Sequence, residues 1–171
     1  MKTITYEDFV SFNPCWLTDD EERDEHADQL AGYRAMRDEW SALDILRLDE
    51  VDAEDRLWLV LREELIDAPI LHEFACRCAE RALSRIDKPY EPSVAAIEAK
   101  RKWMRGEIPN DEMTAERAAA RDAAWYEAMA VAWYAARDAE RAAARAAAMA
   151  AAWTAEREWQ VAELMRMLEE A

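Results

Sequence analysis

Glycine is almost missing from this sequence, with two in 171 residues, and there are only five prolines and three cysteines. A β-rich fold needs turn residues about every 8–12 positions, and this chain does not carry them. Two glycines also leave little from which to build a backbone cradle for phosphate. No phosphate loop, GxGxxG, GxSxG, HExxH or calcium loop occurs. No uncharged stretch approaches the 18 or so residues that cross a bilayer, because Arg and Glu interrupt even the Ala-rich tail. Met1 to Ser11 has no apolar h-region, so no signal peptide is read there. Cys15, Cys76 and Cys78 are an odd set, and reduced thiols in a cytoplasmic protein are the expectation.

Acid is abundant instead: 38 Asp+Glu oppose 22 Lys+Arg, a formal charge of −16. That charge argues against wrapping DNA, RNA or an anionic membrane, each of which needs a positive footprint. It would draw in a basic partner, or a protein that itself binds nucleic acid. The hydrophobic fraction of 52% is enough for a core, and the length suits one domain.

The chain reads as all-α: a compact bundle of about six to eight helices with a long Ala-rich C-terminal helical segment. The whole of 1–171 is taken as one domain. Residues 1–88 hold acidic N-terminal helices, and 89–171 a Pro-bounded helix plus the Ala-rich segment. Tyr6 to Phe12 is a short helix or turn, stopped by Asn13-Pro14. Thr18 is placed to cap a helix in which seven of the ten positions from Asp19 to Asp28 are acidic. Ser41 to Leu48 is a short apolar helix or turn. Asp52 with Asp55 has the spacing of a capping box, ahead of a helix carrying Leu57, Trp58, Val60, Leu61 and Leu65, apolar on more than one side. Asp67 to Ile86 is the clearest helix, with Leu71, Phe74, Ala75, Cys78, Ala82 and Ile86 as its stripe and Ile66 with Leu71 as a staple. Pro92 and Gly106 bracket Ser93 to Arg105, with Val94, Ile97, Arg101 and Met104 on the apolar side. After Pro109 there is neither glycine nor proline. One straight helix from there would run roughly 90 Å, so two helices or one kinked helix are expected.

The chemistry-bearing residues are few. Cys76 and Cys78 stand two apart, about 200° around a helix, so they cannot chelate one metal together. His72 and Cys76 share a face, but no further ligands are signalled. Buried small hydrophobes are the better reading of both cysteines. The paired carboxylates Asp19-Asp20, Glu21-Glu22, Glu63-Glu64 and Glu169-Glu170 are neighbours on solvated helices, not groups converging across a cleft. No catalytic residue, metal or cofactor is therefore assigned. Eight tryptophans spread over all the helices favour core use; Trp153 or Trp159 are the expected exposed ones. A pocket between helices, using such rings plus Arg, stays open.

Phe74-Ala-Cys-Arg-Cys-Ala-Glu-Arg-Ala-Leu83, then Ala96-Ile-Glu-Ala-Lys-Arg-Lys-Trp103 and Arg105-Gly106-Glu107-Ile108, lead into an Ala/Arg-rich tail. This pattern resembles an all-helical family of immunity proteins from bacterial polymorphic toxin systems, the fifth in the usual naming, over about Leu71 to Tyr134. The resemblance implies a non-enzymatic inhibitory binding protein that occludes a toxin in the cytoplasm of a bacterial host. On that reading Asp19, Asp20, Glu21, Glu22, Asp24, Glu25 and Asp28 steer a basic or nucleic-acid-binding protein target and exclude its substrate. Two alternatives stand beside it. One is a phage anti-defence protein, such as an anti-CRISPR acting as an acidic nucleic-acid mimic. The other is a small-molecule-binding sponge with an interhelical pocket. A long Ala-rich helix could also pair with a second copy of itself.

Overall fold

Thr5 and Ser41 perform the same task twice. Each ends a three-residue strand and caps the helix that follows. A computed structural model describes residues 2–12, 14, 31–85, 87–88, 91–119 and 139–171. In it β1 (Thr3–Thr5) pairs antiparallel with β2 (Glu39–Ser41), setting Ile4 opposite Trp40. Thr5 accepts from the Asp8 N–H while the Asp8 carboxylate accepts from the Thr5 N–H at 2.8 Å, a capping box that starts α1 (Tyr6–Ser11). Ser41 and Asp44 repeat the box at the start of α2 (Ala42–Leu46), with the Ser41 N–H 3.0 Å from the Asp44 carboxylate. Both reciprocal boxes satisfy N–H groups that a helix start leaves unpaired.

The fold is all-α, as the composition implies, and among the described residues this small sheet is the one addition. Three residues are too few to show a two-residue period, and their partners lie 34 to 38 positions away, so nothing local announces them.

Two expected caps take a different form. Asp52 precedes α3 (Ala53–Val60) but makes no side-chain cap bond, so the Asp52–Asp55 box does not form. Asp67 precedes α4 (Ala68–Leu83), with Pro69 in its first turn, and also makes no side-chain cap bond. Lys2 takes that carboxylate instead, at 2.8 Å, and holds it below its ordinary range. The third helix is also shorter than its apolar pattern implies. It stops at Val60, and residues 61–66 turn, with the Leu65 and Ile66 N–H groups both reaching the Arg62 carbonyl. Leu65 and Ile66 remain in the core from outside any helix.

α4 lies between α5 (Glu91–Met104) and α6 (Ala139–Glu169) and packs on both. Phe74 and Cys76 are its buried residues, whereas Ala75 and Ala82 are exposed, which corrects the single stripe read from sequence. Val94 on α5 is also exposed rather than core-facing. α5 ends where the sequence places its stop. The Gly106 N–H reaches the Trp103 carbonyl and the Glu107 N–H reaches that of Lys102, both at 2.9 Å. That is the Schellman pattern, and Gly106 supplies its left-handed residue with φ of 72°. Of the Ala-rich segment, residues 110–119 are helical, and α6 is a continuous helix of 31 residues, about 46 Å long. Residues 120–138 lie outside the described residues, so the expected division into two helices or one kinked helix is not followed through them.

The core joins distant parts of the chain: Ile4, four residues of α2, Leu57 and Val60 of α3, Phe74 of α4, and Val161, Leu164, Met167 and Leu168 of α6. Across the α5–α4–α6 layer runs a string of alternating charges. Arg101 pairs with Glu73 at 2.9 Å and with Glu80. Arg77 links Glu73 to Glu163 at 3.2 and 2.6 Å, and Arg166 holds Glu163 and Glu170 at 2.7 and 2.6 Å. Arg166, then Arg77, holds Glu163 down at about 2, against partial burial. Arg101 likewise lowers Glu73 and Glu80.

Carboxylates depressed on folding contribute stability that is complete above their unfolded pKa and is lost as pH falls through the folded value. Stability is therefore expected to decline between about pH 4.5 and pH 2 as this string is protonated. Urea titrations across that interval check it. A flat stability in Glu163→Gln and native chains alike would show that the string adds nothing.

Candidate functional site

The two capped turns bring aromatic side chains to one place. Trp40 is carried by β2, Tyr6 and Phe9 by α1, and Trp58 by α3; Tyr33 comes from the helical residues 31–36. They line a cleft of about 500 Å³, together with Ile4, Pro14, Ile45, Leu48 and Leu59. Tyr33 meets Trp40 edge-on with centroids 5.9 Å apart, and Tyr6 tilts against Phe9 at 6.2 Å.

Arginines already stack on these rings. Arg34 lies 5.0 Å from the centre of Tyr6, Arg37 4.9 Å from Trp40, and Arg62 sits between Phe12 at 3.9 Å and Trp58 at 4.8 Å. Carboxylates anchor two of them: Arg37 pairs with Asp44, and Arg34 lies 3.7 Å from Glu7. Ser41 and Arg37 together keep the Asp44 carboxyl below its ordinary range, against its partial burial.

The cleft's charged lining is unequal. Glu50, Asp52, Glu54 and Asp55 contribute four carboxylates and are exposed, whereas Arg34 and Arg56 contribute two guanidinium groups. Tyr33 donates its hydroxyl to Glu50 at 3.2 Å. Arg56 is only 4% exposed; it donates to the Leu46 carbonyl at 2.7 Å and approaches Glu158 at 3.3 Å. The arrangement is an apolar recess with a net acidic edge.

The residues singled out by sequence fall as follows. Asp19, Asp20, Glu21, Glu22, Asp24, Glu25 and Asp28, proposed to meet a partner, lie outside the described residues, as do Cys15, Trp16, Trp125 and Trp133. The chain enters that acidic segment after Pro14 and leaves it before Tyr33, and both of these line the cleft. Cys76 feels Arg101 and Lys100 of α5, whereas Cys78 feels Glu156 and Glu163 of α6. Burial raises the Cys76 thiol, and burial with those α6 carboxylates pushes Cys78 up to about 11, so both are held protonated. His72 packs edge-on against Trp103 at 5.4 Å, and burial, then Lys100, lowers its pKa. Among the described residues no group of three or more His, Cys, Asp or Glu could hold a metal ion. Nor is any described helix long and apolar enough to cross a membrane.

Trp153 is exposed as expected, at 57%, but Trp159 is half-buried beneath Arg81, whose guanidinium lies 4.1 Å from its ring. Sequence reading missed Trp58, which is 43% exposed at the cleft. The signal was present, because α3 is apolar on more than one side. One side faces the core through Leu57 and Val60, and the other carries Trp58.

Comparison with family models, curated proteins and solved structures gives no match for this chain.

Proposed function

We propose that this chain is a non-enzymatic inhibitory binding protein that occludes a basic or nucleic-acid-binding protein target, as toxin-neutralising immunity proteins do. The observation that carries this reading is how its charge is used. Arg77, Arg81, Arg85, Arg101 and Arg166 each have a carboxylate within 3 Å inside the α5–α4–α6 layer. Asp38, Asp52, Glu64 and Asp111 meanwhile stand exposed. Each such pair takes one carboxylate for one arginine, so the net −16 stays uncompensated, and such a field accelerates encounter with a positive surface and repels nucleic acid. The same physics serves a phage anti-defence protein that competes with DNA for a basic groove.

The test is a pull-down of tagged protein from host lysate with elution by a salt gradient. Charge reversal at Asp19, Asp20, Glu21 and Glu22 together is expected to release the target at distinctly lower salt while the helical circular dichroism is unchanged. Release at the same salt would remove acidic steering, and an absence of any protein target would remove the inhibitor reading. The cleft itself favours a second reading, a small-molecule sponge, since about 500 Å³ lies in the range of ligand sites, roughly 300–1,000 Å³. A small molecule retained in native mass spectrometry would support it.

A further inference from the structure

We infer that the aromatic cleft is where this chain reads its target's sequence, by accepting an apolar side chain of the partner flanked by arginine or lysine. This rests on the inhibitory-binding reading above.

Two independent features of the cleft call for different parts of such a segment. Its interior offers Trp40, Ile45 and Leu59 around a recess large enough to take more than a methyl group, and an apolar anchor seated there is desolvated. Its edge carries the exposed carboxylates of Glu50, Asp52 and Glu54, held among the described residues only by the Tyr33 hydroxyl on Glu50 at 3.2 Å and by Arg157 at 3.9 Å from Glu54, and an acidic ligand would meet them unfavourably. Basic residues on either side of the anchor satisfy that edge. The two arginines of the lining do not reverse this preference, because each is already engaged. Arg34 lies between Tyr6 and Glu7, and Arg56 is tied to Leu46 and Glu158. Trp58 sits exposed at the opening, next in the chain to the buried Leu57, so its ring is held in place by the helix that builds the core. Tryptophan so placed is the residue type that most often dominates binding energy.

The experiment uses the full chain and a fluorescent capped hexapeptide with a leucine–phenylalanine pair flanked by arginines. One control peptide replaces the arginines with glutamates, and the other replaces leucine–phenylalanine with serines. Fluorescence anisotropy is expected to show saturable binding of the first peptide, weakened roughly tenfold or more in both controls. Trp58→Ala, and separately the pair Glu50→Lys with Glu54→Lys, are expected to weaken it by a similar factor with helical circular dichroism intact. All three positions are exposed, and the paired variant decides the matter should Trp58→Ala disturb the fold. Equal binding of the serine peptide, or unchanged binding by both variants, overturns the proposal.

The pull-down separates this proposal from the reading it rests on. A captured target that survives Trp58→Ala and the paired reversal, but not reversal at Asp19 to Glu22, keeps the inhibitor and discards the cleft as its reader. Concentration-dependent dimers abolished by Trp58→Ala would assign the cleft to a second copy. A co-purifying small molecule that the peptide displaces would assign it to a metabolite. Either result overturns the proposal as stated.

Discussion

Leu164→Ala is expected to lower the free energy of unfolding by about 2–5 kcal/mol, the range for removing a buried leucine and leaving a cavity. Leu164 has no exposed surface and sits among Leu46 of α2, Leu57 and Val60 of α3 and the other buried residues of α6. Those elements come from opposite ends of the sequence, so a void there cannot be closed by a local shift of one helix. Domains of this kind are stable by only about 5–15 kcal/mol, so the loss is a large part of the whole. Urea unfolding measures it, with Leu61→Ala as the control. Leu61 is 41% exposed, and its truncation is expected to cost no more than about 0.5 kcal/mol. Equal losses in the two variants would mean that α6 does not complete the core.

Arg56→Ala is expected to be nearly as damaging, at about 2–4 kcal/mol, and the reason is not primarily its ion pairs. Glu158 is more than half exposed and Asp49 almost wholly so, which places both pairs in the range of surface bridges, about 0–1 kcal/mol. The larger loss comes from the Leu46 carbonyl. It closes α2, accepts from Arg56 at 2.7 Å, and would be left without that donor, at about 1–3 kcal/mol. Loss of the packed stem adds the rest. Glu158→Gln, by contrast, should cost under about 1 kcal/mol. Chemical unfolding of both variants separates the two causes, and a Glu158→Gln effect equal to that of Arg56→Ala would make the ion pair the main contributor.

What could be read from the sequence was what local chemistry decides. Pro92 and Gly106 bracket α5 because a proline suits a first turn and a left-handed residue suits a stop, wherever the helix docks. The helix from Asp67 was legible for the same reason, although Lys2, 65 positions away, took the carboxylate that seemed to be its cap. The end of α3 at Val60 was not legible, since Leu61 and Leu65 continue the apolar pattern. Which of them is buried depends on where α6 and α4 lie. The burial of Arg56 was hidden likewise, because arginine is almost never buried without partners and its partners Asp49, Leu46 and Glu158 are 7, 10 and 102 positions away. The cleft was foreshadowed only as a class of site, rings with arginine between helices. Its residues meet through β1–β2 pairing and the placement of residues 31–36, which no short window of sequence contains.

The pairing of β1 with β2 has a consequence for the length of the stretch it encloses. Thr5 pairs with Glu39, so everything between them is a closed excursion from a junction that the core already fixes on both sides. The entropy of closing such an excursion varies slowly with its length, by about 0.6 kcal/mol for each doubling. Doubling the length of the stretch between Pro14 and Tyr33 would therefore add only about 0.6 kcal/mol of closure cost to that junction.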